Sequence, residues 1–245
     1  MNDSLNGRTV LVVGGSSGIG AAAAQAFAQR GATVTIASRD PHKATVVAAS
    51  PGSPVRRETL DVTDTAAVDA FCARAGQFDH VVISAARTAS GPVRSLPFDD
   101  AQAAMNSKFW GAYRVARAID VAPSGSLTFV SGFLSARPSA SSVLQGAINA
   151  ALEALARGLA LELAPVRVNT VSPGLIATPL WDKLAPDARD ALFANAAQRL
   201  PARRVGQPED VANAIVYLGD DTLRNRLDRA GRRRRHDCVT RAAAE

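Results

Sequence analysis

Thr9-Val10-Leu11-Val12-Val13 runs without interruption into Gly14-Gly15-Ser16-Ser17-Gly18-Ile19-Gly20 and then into an alanine-rich stretch from Ala21 to Arg30. A short β-branched apolar run, a glycine cluster and a run of good helix formers dictate a buried strand, a tight turn and a helix. Glycine lets the chain turn sharply and lets the backbone approach an anion with no Cβ in the way. The first helical N–H groups and the positive end of the helix dipole then face that anion. Standing at the start of an α/β alternation, the segment predicts a cradle for the diphosphate of a dinucleotide. The alternative reading of these glycines is a tight strand-to-helix turn with no ligand.

The alternation continues along the chain. Strands are predicted at Thr33 to Ala37, Val55 to Leu60, His80 to Ser84, Ser126 to Ser131 and Arg167 to Val171, with helices at Pro41 to Ala49, Thr65 to Ala75, Asp99 to Asp120 and Ser142 to Ala164. Such spacing gives βαβ units, hence a Rossmann-like doubly wound parallel sheet in a three-layer α/β/α sandwich. Ligands on such sheets bind beyond the carboxyl ends of the strands, so the residues after each strand are the ones that bear on function. The chain has 245 residues, 47% of them hydrophobic, which is enough for one full core. One domain is expected over residues 1–219, followed by an arginine-rich tail at 220–245.

Two cysteines, Cys72 and Cys238, lie far apart among only three histidines, which suggests neither a disulfide framework nor a metal site. The first residues lack a basic region followed by an apolar run, and no segment has the length of apolar sequence a membrane helix needs, so a cytoplasmic protein with no membrane partner is expected. The formal charge of +6 could point to nucleic acid, but much of that charge is local, in the tail, where Arg224, Arg226, Arg229, Arg232, Arg233, Arg234, Arg235 and Arg241 crowd together, and the remainder of the chain is only mildly basic. Nucleic-acid binding by such an arm is the weaker alternative.

Ser38-Arg39 follows the second strand. An acidic residue there would accept from ribose hydroxyls and repel a 2′-phosphate, whereas an arginine pairs with that phosphate. The expected cofactor is therefore NADP(H) in preference to NAD(H), against the plainer reading of Arg39 as a surface arginine.

With these segments in hand, the chain resembles the short-chain dehydrogenase/reductase family from about Gly7 to Gly219. Val13-Gly14-Gly15-Ser16-Ser17-Gly18-Ile19-Gly20 is similar to its Thr-Gly-x-x-x-Gly-Ile-Gly turn. Leu60-Asp61-Val62-Thr63-Asp64 is similar to the segment that holds the adenine, and Ser84-Ala85-Ala86 stands where the family has Asn-Ala-Gly. Arg167 through Thr178 resembles the segment that wraps the nicotinamide. The resemblance implies cofactor contacts from Gly14, Ser16, Ser17, Gly18, Ile19, Gly20, Ser38, Arg39, Asp61, Val62, Ser84, Ala85, Asn149, Pro173, Gly174, Ile176 and Thr178. Arg204-Val205-Gly206-Gln207-Pro208-Glu209-Asp210 also fits the family, which is commonly dimeric or tetrameric.

The resemblance fails at the proton-transfer machinery. The family uses Asn, Ser, Tyr and Lys, the last two in a Tyr-x-x-x-Lys spacing on one helix face. Here the tyrosines are Tyr113 and Tyr217 and the lysines Lys43, Lys108 and Lys183. Alignment on Ala151-Leu152-Glu153-Ala154 puts Gln145 at the tyrosine position and Asn149 at the lysine position. The serine falls at Ser131 or Gly132, with Ser131 preferred, and Trp110-Gly111-Ala112 sets a register that puts Lys108 at the asparagine position. Amides cannot release a proton at a useful pH. A partly desolvated Lys108 acting with Ser131 could supply the acid or the electrostatic stabilisation instead; the alternative is an exposed helix lysine.

Phe133, Leu134, Leu180 and Trp181 follow strand ends beside the expected nicotinamide, and Ala177 to Leu200 resembles a mobile substrate loop, which together suggest an apolar small-molecule substrate. The leading expectation is an NADP(H)-dependent oxidoreductase of a carbonyl or alcohol with a non-standard site. The alternative is a catalytically inactive dinucleotide-binding protein, a sensor or a partner subunit. In the tail, Gly231-Arg232-Arg233-Arg234 can be encoded by bases that read Val-Asp-Gly-Gly, a family segment, one nucleotide later. A change of coding frame soon after Leu218 is therefore expected, and the gene sequence tests it.

Overall fold

The computed structural model describes residues 5–46 and 54–219. Six strands, β1 (Thr9–Val13), β2 (Thr33–Ser38), β3 (Val55–Thr59), β4 (Gln77–Ile83), β5 (Asp120–Val130) and β6 (Arg167–Val171), form one sheet in the order β3-β2-β1-β4-β5-β6. Every pairing is parallel, with Val13 opposite Ala37 on one side and Ile83 on the other, so the strand tips end level. The doubly wound α/β expectation is met.

Both faces of the sheet are covered, and the alternation of side chains along each strand sorts them. Leu11 and Val13 join Leu127 and Phe129 beneath α2 (Thr65–Ala75), α4 (Gly111–Ala118) and α5 (Val143–Glu162). Val10 and Val12 point the other way, into Phe27 and the alanines of α1 (Gly18–Ala28) and into Ile215 and Val216 of α7 (Pro208–Gly219). Strands apolar on both sides are what a parallel sheet buried on both faces requires. Arg167, at the start of β6, donates to the carbonyls of Leu218 and Gly219 and so closes the last turn of α7.

Several boundaries differ from expectation. The helix predicted from Pro41 to Ala49 is, within the described residues, a single 3₁₀ turn, Pro41–Lys43, after which the chain leaves helical geometry at Ala44. Its β-branched Val46-Val47 and the Pro-Gly-Ser-Pro that follows oppose propagation. The helix predicted from Asp99 to Asp120 is instead α3 (Phe98–Met105), a π-helical turn at Asn106–Trp110, and α4, and Asp120 already belongs to β5. β5 reaches back so far because its register against β4 jumps between Phe78 and His80, which accommodates Pro123-Ser124-Gly125. α6 (Pro186–Arg199) and α7 were not predicted as helices; α6 buries no residue and α7 was visible only as a family segment. The tail from 220 to 245, the first four residues of the predicted single domain and the proposed frame change lie outside the described residues. Among the described residues, no helix is long and apolar enough to cross a membrane.

Phe129 is fully buried in β5 at the centre of one core. Phe129→Ala should lower the unfolding free energy by about 3–5 kcal/mol, read from chemical denaturation, because a large side chain is lost where rigid sheet and helix cannot close the gap.

Candidate active site

The glycine turn is built by close approach. Gly14 has φ +85°, and a Cβ there would lie 2.5 Å from the Ala85 nitrogen. At Gly20 a Cβ would strike the Gly14 carbonyl and lie 2.5 Å from Ser84 Oγ. Ser84 Oγ donates to the carbonyls of Val13 at 3.1 Å and Gly14 at 3.3 Å, so it stitches the tip of β4 to the turn. Ser17 stands at the N-cap of α1 with no side-chain hydrogen bond to the helix, and the first turn has no acidic residue. The cradle is therefore tight behind and free of competing anions in front, which suits a diphosphate.

At the next strand tip, Ser38 Oγ is buried without a hydrogen-bond partner, while Arg39 is exposed. A buried orphan hydroxyl beside an exposed guanidinium suits a bound ribose and its phosphate. Asp61 is held by Thr63, whose amide donates at 2.9 Å and hydroxyl at 2.8 Å. The Thr63 amide is the main reason its carboxyl sits below the usual range, with Arg39 adding a smaller attraction across the gap. Val62 packs against Gly111, where a Cβ would lie 2.7 Å from its Cγ2; that contact explains the glycine.

Beyond β6, Pro173 accepts from the Phe133 amide at 3.0 Å and the Ile176 carbonyl accepts from Trp181 Nε1 at 2.9 Å. Ile176 also bridges to Gly206, and the Thr178 methyl packs over Gly18, where a Cβ would lie 3.3 Å away. Gly174 has open space on its Cβ side. The strand tips thus bring the turn residues Gly14 to Gly20, Ser84, Ala85 and Thr178 to one edge of the sheet.

A second set of contacts lies between the π-helical turn and α5. Lys108 is only 8% exposed, and its Nζ donates to the Ser131 carbonyl at 2.8 Å and to Asn149 Oδ1 at 2.6 Å. The reading of an exposed helix lysine is overturned. The wide turn is pinned by Arg114, which donates to Asn106 Oδ1 at 2.9 Å and to Thr65 Oγ1 at 2.9 Å. π-turns of this kind re-aim side chains at functional sites. Burial drives the Lys108 ammonium down to about 8, with Glu153 pulling against that shift.

Lys108 meets Ser131 differently from the expected pairing. The bond is to the main-chain carbonyl, while the Ser131 hydroxyl donates to Glu153 Oε1 at 3.1 Å and to the Val171 carbonyl at 3.3 Å. Gly132, the position set aside, is the one that faces Asn149, since a Cβ there would lie 2.7 Å from Nδ2. The reason is the strand's alternation: the Ser131 amide still bonds to the Val171 carbonyl as the β5–β6 ladder runs out, which fixes the side on which its hydroxyl falls. Gln145 is buried, and its amide donates to the Ala89 carbonyl at 3.2 Å.

Sequence reasoning used Glu153 only as an alignment anchor. In the fold it is buried on α5, and its Oε1 also accepts from Ser135 Oγ at 2.6 Å. The signal was present: Gln145, Asn149 and Glu153 recur every four residues, on one face, in an otherwise apolar run.

A profile of the family described as Enoyl-(Acyl carrier protein) reductase matches residues 13–225. Among curated proteins, "Short-chain dehydrogenase/reductase ATR9" of Stachybotrys chlorohalonatus is 33% identical over 241 residues, spanning 89% of this chain and 92% of that protein. A solved small-chain dehydrogenase in complex with NADPH shares 32% identity at a TM-score of 0.73, covering 86% and 90% of the two chains. The MalC reductase/Diels-Alderase of Malbranchea aurantiaca shares 29% identity at a TM-score of 0.79, covering 90% and 93%.

The buried lysine carries a signature in stability. Its folded value of about 8 lies below the ordinary 10.5, so between those pH values the unfolded chain holds a proton that the folded chain has shed. Stability should therefore rise with pH through that window, by up to about 3 kcal/mol. Cys72, whose thiol burial raises to about 11 from 9, acts in the opposite sense at higher pH. It is common to both chains when denaturation of the native protein is compared with Lys108→Met, which should lack the rise. The cradle, the strand-tip residues and the matches over nearly the whole length agree: the chain belongs to the short-chain dehydrogenase/reductase family of oxidoreductases.

Proposed function

We propose that the protein is an NADP(H)-dependent oxidoreductase interconverting a carbonyl and an alcohol, with Lys108 in the place of the family's tyrosine as the group that handles the proton. The observation that carries this reading is the buried Lys108 ammonium, bonded to the Ser131 carbonyl and Asn149 Oδ1 in a site with no tyrosine. The bound nicotinamide would supply the hydride. Residues Gly14 to Gly20 would bind the diphosphate, Ser38 and Arg39 the ribose and its 2′-phosphate, and Ile176 and Thr178 the carboxamide. Asn149 and the Ser131 carbonyl orient Nζ, and an ammonium held near neutrality both stabilises a developing alkoxide and can release a proton to its oxygen. Support for the phosphorylated cofactor comes from Arg39 and from the similar dehydrogenase solved with NADPH. Phe133 and Leu180 expose apolar surface after β5 and β6, which suits an apolar small molecule. We take the protein to work in the cytoplasm as a homodimer or homotetramer.

A second reading, a dinucleotide-binding protein without turnover, is favoured by Gln145, whose buried amide is engaged by Ala89 and has no proton to give. NADPH binding by fluorescence, followed by NADPH consumption against a panel of carbonyl compounds, separates the two. Consumption that falls at least about a hundredfold in Lys108→Ala, with NADPH affinity kept, is expected for the enzyme. Tight NADPH binding with consumption unaffected by that substitution would remove Lys108 from the chemistry. Arg39→Ala should weaken NADPH by about tenfold or more and leave NADH affinity unchanged, because one charged hydrogen-bonded contact to the 2′-phosphate is lost.

A further inference from the structure

Lys108 is a buried cation whose two hydrogen-bond acceptors are neutral, so its compensating charge must lie farther off. Glu153 stands one helical turn beyond Asn149 on α5, and one residue links it to the lysine. The Ser131 carbonyl accepts from Lys108 Nζ at 2.8 Å, and the Ser131 hydroxyl donates to Glu153 Oε1 at 3.1 Å. Ser135 Oγ, 2.6 Å from the same Oε1, is a second donor to that carboxylate. Two hydroxyls thus converge on one oxygen of the Glu153 carboxylate.

We infer that Glu153 is a positioning residue for the site, supplying through Ser131 the negative charge that keeps a proton on Lys108. This deepens the proposed function and rests on it for its catalytic meaning. From α5, Glu153 is the charged group acting on Lys108; the neighbours from the end of β5 and from α5 that touch it, Ser131 and Asn149, are neutral. Its attraction opposes the burial that strips the proton. Ser131 thereby acquires a role other than that of a proton donor: its hydroxyl fixes the carboxylate and its carbonyl fixes the ammonium.

The chain has three lysines, Lys43, Lys108 and Lys183, so a protein made with lysine labelled at ¹³Cε gives three side-chain resonances, and Lys108→Arg identifies the one of interest. In the free protein its titration midpoint should fall by about one pH unit, tenfold in proton affinity, in Glu153→Gln and recover in Glu153→Asp, which restores the carboxylate. A midpoint unmoved in Glu153→Gln, or equally displaced in both variants, overturns the inference. Should either variant fail to fold, the wild-type protein labelled at the glutamate carboxyl carbon decides. The Glu153 resonance must inflect at the pH where Lys108 titrates, since coupled groups report one another, and a flat response there also overturns it. None of these readings needs cofactor or substrate. Coupling without NADPH consumption removes the redox function alone, and consumption without coupling removes the role of Glu153 alone.

Discussion

A parallel sheet buried on both faces concentrates its chemistry at the strand tips, and here that constraint organises the molecule. Val10 and Val12 enter one core and Leu11 and Val13 the other, so β1 has no polar side on which to carry a ligand. What remains is its end, where Gly14 leaves the sheet at a positive φ with its backbone against Ala85. Removing the Cβ at Gly14 and Gly20 lets two strand tips and a helix start converge, which places the N-terminus of α1 at the tips of β1 and β4.

The second constraint is electrostatic. A buried ammonium costs several kcal/mol unless its donors are used and its charge is answered. Lys108 spends two donors on Ser131 and Asn149, and Glu153 lies on the far side of Ser131. The π-helical turn, pinned by Arg114, brings the lysine to the end of β5, where its ammonium meets the Ser131 carbonyl. A fold that tolerates so unfavourable a burial at the tips of its strands is consistent with a site that uses it.

The legible part of the site was that fixed by backbone demand. Glycines at Gly14, Gly18 and Gly20, the apolar run before them and the alanines after them each admit few conformations, so the cradle could be read directly. The parallel, doubly wound class followed from the alternation of elements. Other features depended on neighbours distant in sequence. The direction of the Ser131 hydroxyl is set by pairing with Val171 and the early start of β5 by an irregularity opposite β4.

Local sequence by itself determined the α/β class, the dinucleotide cradle and the absence of a tyrosine–lysine pair, because those depend on residue type and short-range spacing. Only the tertiary structure decided that Lys108 is buried rather than solvated, that Gly132 and not the Ser131 hydroxyl faces Asn149, and that Glu153 joins the site. Burial and partner choice arise where β5, the π-helical turn and α5 meet, and no short stretch of chain contains that meeting.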